Sequence, residues 1–212
     1  MVTAILDGRK TQTRRIVKIP DLIKEPDRYH YVGNSNDFDI PRKAIPYDDR
    51  LYHAWRLNNN NMPMWVDHCP YGKIGDVLWV RETWNKRKDI LSGIEIYIHK
   101  EKHVRFKRPS ATEWKWKPSI FMPKEACRIT LEITNIRVER LQHISWEDAL
   151  SEGIDTFQGQ SDNCYDYLTG KYAWSNPVNS YMTLWEKING SGSVAINPWV
   201  WVIEFKVKEV LK

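Results

Sequence analysis

The spacing of apolar positions changes along the chain, and each change marks an element. Near the start Val2, Ile5 and Leu6 share one helical face, and Gly8 stands where a left-handed residue would close that helix. Thr11 to Ile19 then reads as an extended segment. Farther on, Gly75-Asp76 predicts a turn into a strand over Val77 to Arg81, with a neighbouring strand over Ile94 to Ile98. The plainest pattern lies between Arg128 and Arg140. Ile129, Leu131 and Ile133 alternate with Thr130, Glu132 and Thr134, the period of a half-buried strand, and Asn135 marks a bulge before Ile136 and Val138 resume. Ser145 with Asp148 three residues on resembles a capping box opening a helix over Trp146 to Ser151, which Gly153 closes. Val178, Tyr181, Met182, Trp185 and Ile188 keep helical spacing up to Gly190, and Trp199 to Val207 is a last strand.

Between these elements the pattern lapses. Residues 20–67 are polar and broken by prolines, with Asn58 to Asn61 as the least structured tract, and residues 156–177 are irregular and tyrosine-rich. With residues 85–113, they read as insertions in a single domain spanning 1–212. Lys100 to Lys117 is a basic loop or hairpin carrying Trp114 and Trp116. No repeat of fixed period occurs, and strands outnumber helices, which fall between non-adjacent strands. The fold class expected is α+β, a small, mixed, partly closed β-barrel with flanking helices. Barrels of this kind bind nucleic acid or small ligands in the mouth.

Composition adds a partner class. A chain of 212 residues with 42% hydrophobic and 28% charged residues can bury a core without staples. Eleven Trp and ten Tyr supply flat surfaces for core packing or for stacking on bases. The net charge of +5 leans toward an anionic partner. Gly8 to Lys18 concentrates it, with Arg9, Lys10, Arg14, Arg15 and Lys18 and no acid; a solvated basic face is the plain alternative. Cys69, Cys127 and Cys164 lie far apart without a CxxC pair, so neither a zinc site nor a disulfide framework is expected, and a reducing cytoplasm fits. The six histidines show no ligand spacing and there is no GxGxxG or P-loop, so no metal and no cofactor are expected. No stretch is apolar enough to span a bilayer or serve as a signal peptide, which points to a soluble, cytoplasmic protein without a membrane partner.

Three sets of residues can carry chemistry. Lys10 is crowded by Arg9, Arg14 and Arg15, and like charges disfavour its protonation; Thr13, three residues on, would come within reach across a turn as a hydroxyl to activate. The same residues equally suit a solvated strand whose threonines favour β structure. Glu152 sits at a helix end, where a carboxylate opposes the dipole and gains nothing locally. Trp79, Arg81, Glu82 and Trp84 offer ring faces and hydrogen-bonding groups close together, suited to clasping a base or to packing with a salt bridge.

Taken in order, ILDGRKTQTRR, KIGDVLWVRETW, ITLEITNIRVERL with SWEDALSEGI, LWEKING and NPWVWVIEFKV resemble the ASCH-domain family of the PUA-like superfamily, most nearly the longer versions carried by bacteriophages and prophages. The resemblance implies a PUA-like β-barrel with flanking helices. It also implies RNA or a modified nucleoside as partner, since many members are thought to bind RNA and small bacterial members are amidohydrolases that deacylate the exocyclic amine of acylated cytidine. By the family's GRKTxT segment and the helix after the long strand, Lys10, Thr13 and Glu152 are the implied catalytic residues. Lys10 would accept a proton from Thr13 or from a water, and Glu152 would orient the lysine or the leaving amine. Arg9, Arg14 and Arg15, with Trp79, Arg81, Glu82 and Trp84, are the implied substrate or RNA contacts. A non-catalytic RNA-binding module, or a ribonuclease at the same cleft, is the alternative. The family's usual strand before the first helix has no counterpart here, and the insertions are expected to reshape the pocket. Convergence of Lys10, Thr13 and Glu152 in one pocket is the geometric expectation.

Overall fold

The computed structural model of the chain describes residues 2–34, 52–57, 65–89, 92–100, 115–157 and 163–211. At its centre, β1 (Gln12–Ile16), β12 (Trp199–Val210), β8 (Ile129–Arg140) and β5 (Val77–Trp79) lie side by side in that order, every pair antiparallel. β8 and β12 are paired along nearly their whole length, and the bulge expected at Asn135 sets their phase. Glu204 faces Asn135 while Phe205 faces Ile133, so Thr134 is the extra residue. Ile129, Leu131 and Ile133 before it, and Ile136 and Val138 after it, are therefore all buried. Without the bulge the second group would turn to the opposite face.

Alternation along β12 gives the sheet two different faces. Trp199, Trp201 and Ile203 join Ile133, Ile136 and Val138 in one buried cluster. That cluster is completed from the proline-broken segment, by Leu22 of α2 (Pro20–Lys24), Tyr29 of β2 (Tyr29–Asn34) and Trp55 of β3 (Tyr52–Leu57). With β4 (Trp65–His68), these strands form a second antiparallel sheet in the order β2-β3-β4. The indole of Trp55 meets that of Trp201 edge-on, 5.9 Å between ring centres, so this segment supplies core as well as loops. The Asn58 to Asn61 tract lies outside the described residues.

On the other face Val200 and Val202 pack with Ala149 of α3 (Trp146–Ser151) and Tyr181 and Trp185 of α4 (Pro177–Asn189). Asn176 caps α4 by accepting the Val178 N–H at 2.8 Å, and Pro177 fits the first turn, where no N–H is needed. Ile188 keeps the helical spacing but is exposed. The segment expected to be irregular forms a small sheet of β9 (Thr156–Phe157), β10 (Asn163–Asp166) and β11 (Lys171–Trp174), tied to α4 by the Ser180 hydroxyl donating to the Tyr165 carbonyl at 2.6 Å. At the far end of the central sheet, α1 (Val2–Leu6) buries Ile5 against Ile129, Leu131 and Phe205.

Two expectations need correction. The strand near Ile94 does not neighbour β5; it is β7 (Glu95–His99), and it pairs with β6 (Trp84–Lys88) as a separate hairpin. Nor is the central sheet a closed barrel: among the described residues β1 and β5 each have one sheet neighbour. Both edge strands are short, and the two faces are covered by a second sheet and by helices, so most apolar positions are buried without closure, Val77, Val207 and Val210 excepted. What remains is a mixed α+β fold of antiparallel sheets with few helices. Among the described residues no helix is long and apolar enough to cross a membrane.

If β3 is part of the core, Trp55→Ala is expected to destabilise the chain by about 3–5 kcal/mol in urea unfolding, the range for a deleted buried indole. A loss below about 1 kcal/mol would mean that this segment does not pack on the central sheet.

Candidate functional site

Two chain reversals meet back to back beside β1. At the first, the Gly8 N–H bonds the Ile5 carbonyl at 3.0 Å with φ at +73°, and the Lys10 N–H bonds the Ala4 carbonyl at 2.9 Å. At the second, Glu152 ends α3, its N–H bonding the Asp148 carbonyl at 3.0 Å, and Gly153 turns the chain with φ at +76°. The Thr11 N–H reaches the Ser151 carbonyl at 2.9 Å, which brings Lys10 and Glu152 opposite one another across 142 residues of sequence.

The Lys10 ammonium donates to the Glu152 carboxylate oxygen Oε2 at 2.9 Å, to the Glu152 carbonyl at 2.7 Å and to the Gln12 carbonyl at 2.9 Å. All three of its protons are used. Lys10 is 7% exposed and Glu152 5%. Burial pulls the Lys10 amine below its ordinary range; Glu152 opposes this, while Arg15 and Arg14 add a smaller push in the same direction. The crowding of arginines noticed in the sequence is thus a minor cause beside desolvation.

Arg14 is the hub of the surrounding charges. Its side chain has no solvent exposure, and it donates from Nη1 to Glu152 Oε1 at 3.1 Å, from Nε to Glu139 Oε1 at 2.9 Å and from Nη2 to Asp148 Oδ2 at 2.7 Å. Burial opposes its charge, but Glu139 and Glu152 outweigh burial and raise its pKa. Arg137 joins the same group, donating to Asp148 Oδ2 at 2.6 Å and pairing with Glu204. Burial alone would raise the Asp148 carboxyl, yet Arg14 and Arg137 hold it below the usual range. Asp148 therefore does only half of what the capping box implied. Its N–H donates to the Ser145 hydroxyl at 3.1 Å, while its carboxylate turns to the arginines. Tyr181 closes the site from α4, its ring centre 5.8 Å from the Arg14 guanidinium carbon, and burial pushes its hydroxyl well above the normal range.

The other sequence-derived residues lie elsewhere. Thr13 pairs with Ile203 and Arg14 with Val202, so their side chains point to opposite faces of the sheet. The Thr13 side chain thus sits across the β1 backbone from the carboxylates, and among the described residues its hydroxyl makes no hydrogen bond. Arg9 and Arg15 are exposed, Arg9 donating to the Ile154 carbonyl at 3.2 Å. Trp79, on the opposite edge strand, is three strand spacings from β1, roughly 14 Å. The Arg81 guanidinium stacks over Trp79, 4.6 Å from its ring centre. Glu82 is buried and held by Arg128 through two hydrogen bonds of 2.8 and 2.7 Å. Trp84 is buried with Met122 and Ala126, and the Lys117 amine lies 4.8 Å above its ring.

Sequence reading missed Gln12, Arg137, Glu139 and Glu204 as members of the site. Arg137 and Glu139 occupy polar positions of an alternating strand, which normally signals a solvated face; Arg14 and Asp148, brought against that face by β1 and α3, leave them half-buried. Among the described residues no group of three His, Cys, Asp or Glu side chains is placed to hold a metal. The three cysteines are free, and burial pushes the Cys69 thiol up to about 11. No known protein family, curated protein or solved structure matches the chain.

Gly153 is what allows the two reversals to touch. A Cβ there would stand 2.6 Å from Lys10 Cβ and 3.1 Å from Ala4 Cβ, on a backbone that side chains rarely adopt. Gly153→Ala is expected to lower stability by more than the ~1–2 kcal/mol of left-handed strain alone. A loss of that size or smaller in thermal unfolding would show that the Lys10 contact is looser than described.

Proposed function

We propose that the chain is an ASCH-type protein of the PUA-like superfamily that hydrolyses the acyl amide on the exocyclic amine of an acylated cytidine or a related nucleoside, with Lys10 and Glu152 as its working pair. The observation that carries the reading is their contact: two residues chosen for chemistry from distant motifs meet at 2.9 Å in a desolvated site. Desolvation makes the neutral amine accessible nearer to physiological pH than in a free lysine, which a general base requires. In this reading Lys10 takes the proton of the attacking water or hydroxyl and returns it to the leaving cytosine amine. Glu152, whose other oxygen is fixed by Arg14, holds the lysine in place, and exposed Arg9, paired with Asp7 at 3.7 Å and Asp155 at 3.6 Å, would exchange those partners for the oxyanion. The register of β1 favours water over Thr13 as the attacking group, because the threonine is on the other face.

A second reading, RNA binding without turnover, draws on a different observation. Lys10 and Arg14 are saturated by internal acceptors, as they would be in a purely structural ion network.

Turnover of acylated cytidines, followed by the change in ultraviolet absorption on deacylation, separates the two. Lys10→Ala is expected to lower kcat/KM by about 10²–10⁴, the usual worth of a general base, with the wild-type rate rising with pH as the amine deprotonates. No turnover by the wild-type protein across a panel of acylated nucleosides would leave only the binding reading. Thr13→Ala identifies the attacking group: a loss as large as that of Lys10→Ala assigns it to the hydroxyl, and retained activity assigns it to water.

A further inference from the structure

The chain contains one Asn-Gly step, and α4 ends on it at Asn189. Asparagine before glycine is the pair in which the side-chain amide and the next backbone nitrogen are least kept apart, because glycine has no Cβ to shield its own N–H. Attack of that nitrogen on the amide carbon is what makes asparagine a heat-labile residue. Whether it proceeds in a folded chain depends on what else holds the two groups.

Here both are held, and by bonds that open easily. The Asn189 side-chain amide donates to the Trp185 carbonyl at 3.1 Å, capping one of the carbonyls that a helix end leaves open. The Gly190 N–H donates to the Glu186 carbonyl at 2.9 Å, and the Gly192 N–H to the Glu186 carboxylate oxygen Oε1 at 3.1 Å. Lys187, Ile188, Asn189 and Gly190 are all exposed, Ile188 by 65%. Little apolar burial therefore adds to the cost of opening this last turn, and a helix end of this kind opens far more readily than the chain unfolds. Asn179, in the first turn of the same helix, stands in opposite circumstances. The residue after it, Ser180, is wholly buried, with its N–H on the Asn176 carbonyl at 3.3 Å and its hydroxyl on β10.

We infer that Asn189 is a site of self-modification, where the folded chain converts an amide to a carboxylate when the last turn of α4 opens. The Gly190 nitrogen bonds to the Asn189 side-chain carbon, and the amide nitrogen leaves as ammonia, taking with it the proton that Gly190 gives up. Water then opens the resulting imide. Cleavage of the new carbon–nitrogen bond gives aspartate, and cleavage of the original peptide bond gives isoaspartate; nothing is oxidised or reduced. The product is a one-way release of the helix end. Its carboxylate stands where the helix dipole and the Trp185 carbonyl both repel it, and the isoaspartyl form also lengthens the backbone ahead of the Gly190 turn. Either form lowers the net charge of +5 by one.

The test is peptide mapping by mass spectrometry of the full chain, incubated folded and, in parallel, in urea, with heavy-oxygen water to label each converted residue. Conversion is expected at Asn189 in the folded chain, as separable aspartyl and isoaspartyl peptides, at a rate that rises with pH and with Asn179 unconverted. The folded rate is expected to lie about ten- to hundred-fold below the rate in urea, the effect of the two bonds that engage the reacting groups. Glu186→Ala cuts the link to Gly192, and is expected to raise the folded rate about three- to ten-fold while leaving the urea rate unchanged. Asn189→Asp reads the consequence: the Gly190 and Gly192 amides are expected to exchange with deuterium faster than in the wild type, and equal exchange would overturn the release of the helix end. No conversion in the folded chain over an incubation roughly a hundred times longer than urea requires, conversion as fast folded as in urea, conversion of Asn179 alongside Asn189, or a folded rate that Glu186→Ala does not raise would each overturn the inference.

Discussion

The position of one cation, Arg14, fixes the relation between the N-terminal arm, the central sheet and α3. Its backbone belongs to β1, and its three nitrogens hold Glu139 of β8, Asp148 of α3 and Glu152 at the end of that helix. A buried guanidinium is tolerated only when its donors are met by carboxylates of matching geometry, and three carboxylates so close together are tolerated only around a cation. The group is therefore all or nothing. Taking away Arg14 would leave only Lys10 and Arg137 to hold three carboxylates in a poorly hydrated space, a disruption commonly worth about 3–5 kcal/mol.

Lys10 acquires its surroundings from that arrangement. Arg14 takes one oxygen of Glu152 and leaves the other aimed at Lys10, while the close approach at Gly153 brings the two backbones near enough for the amine also to reach two carbonyls. Water is largely excluded, so the ammonium depends on fixed acceptors. A lysine held this way is present as the neutral amine at lower pH than one on the surface, and it is poorly placed to grip a phosphate. Both consequences follow from burial.

The elements most legible in the sequence are those whose burial is set by local alternation. β8 with its bulge at Asn135 and the turn at Gly153 follow from spacing and turn chemistry, as do the cap at Ser145 and the strand beginning at Trp199. The strands of residues 29–68 are not legible, because prolines and polar residues there conceal the few positions that matter; Trp55 is wholly buried although it stands between Ala54 and the charged Arg56. In the site, Lys10 and Glu152 could be picked out individually, but nothing local says that Thr13 faces away, since that depends on pairing with Ile203 in a strand nearly two hundred residues later. For the same reason Arg14 reads as one more solvated cation. Its carboxylates come from three separate elements, and only the assembled sheet brings them together.

The most direct measurement is the titration of the Lys10 amine, followed by nuclear magnetic resonance of isotopically labelled lysine side chains and assigned through Lys10→Arg. The resonance is expected to titrate below the ordinary lysine value of about 10.4, and Glu152→Gln is expected to move it lower still, because the attraction that offsets desolvation is then removed. A Lys10 amine that titrates with the exposed lysines and ignores Glu152→Gln would contradict the buried contact on which the site is built.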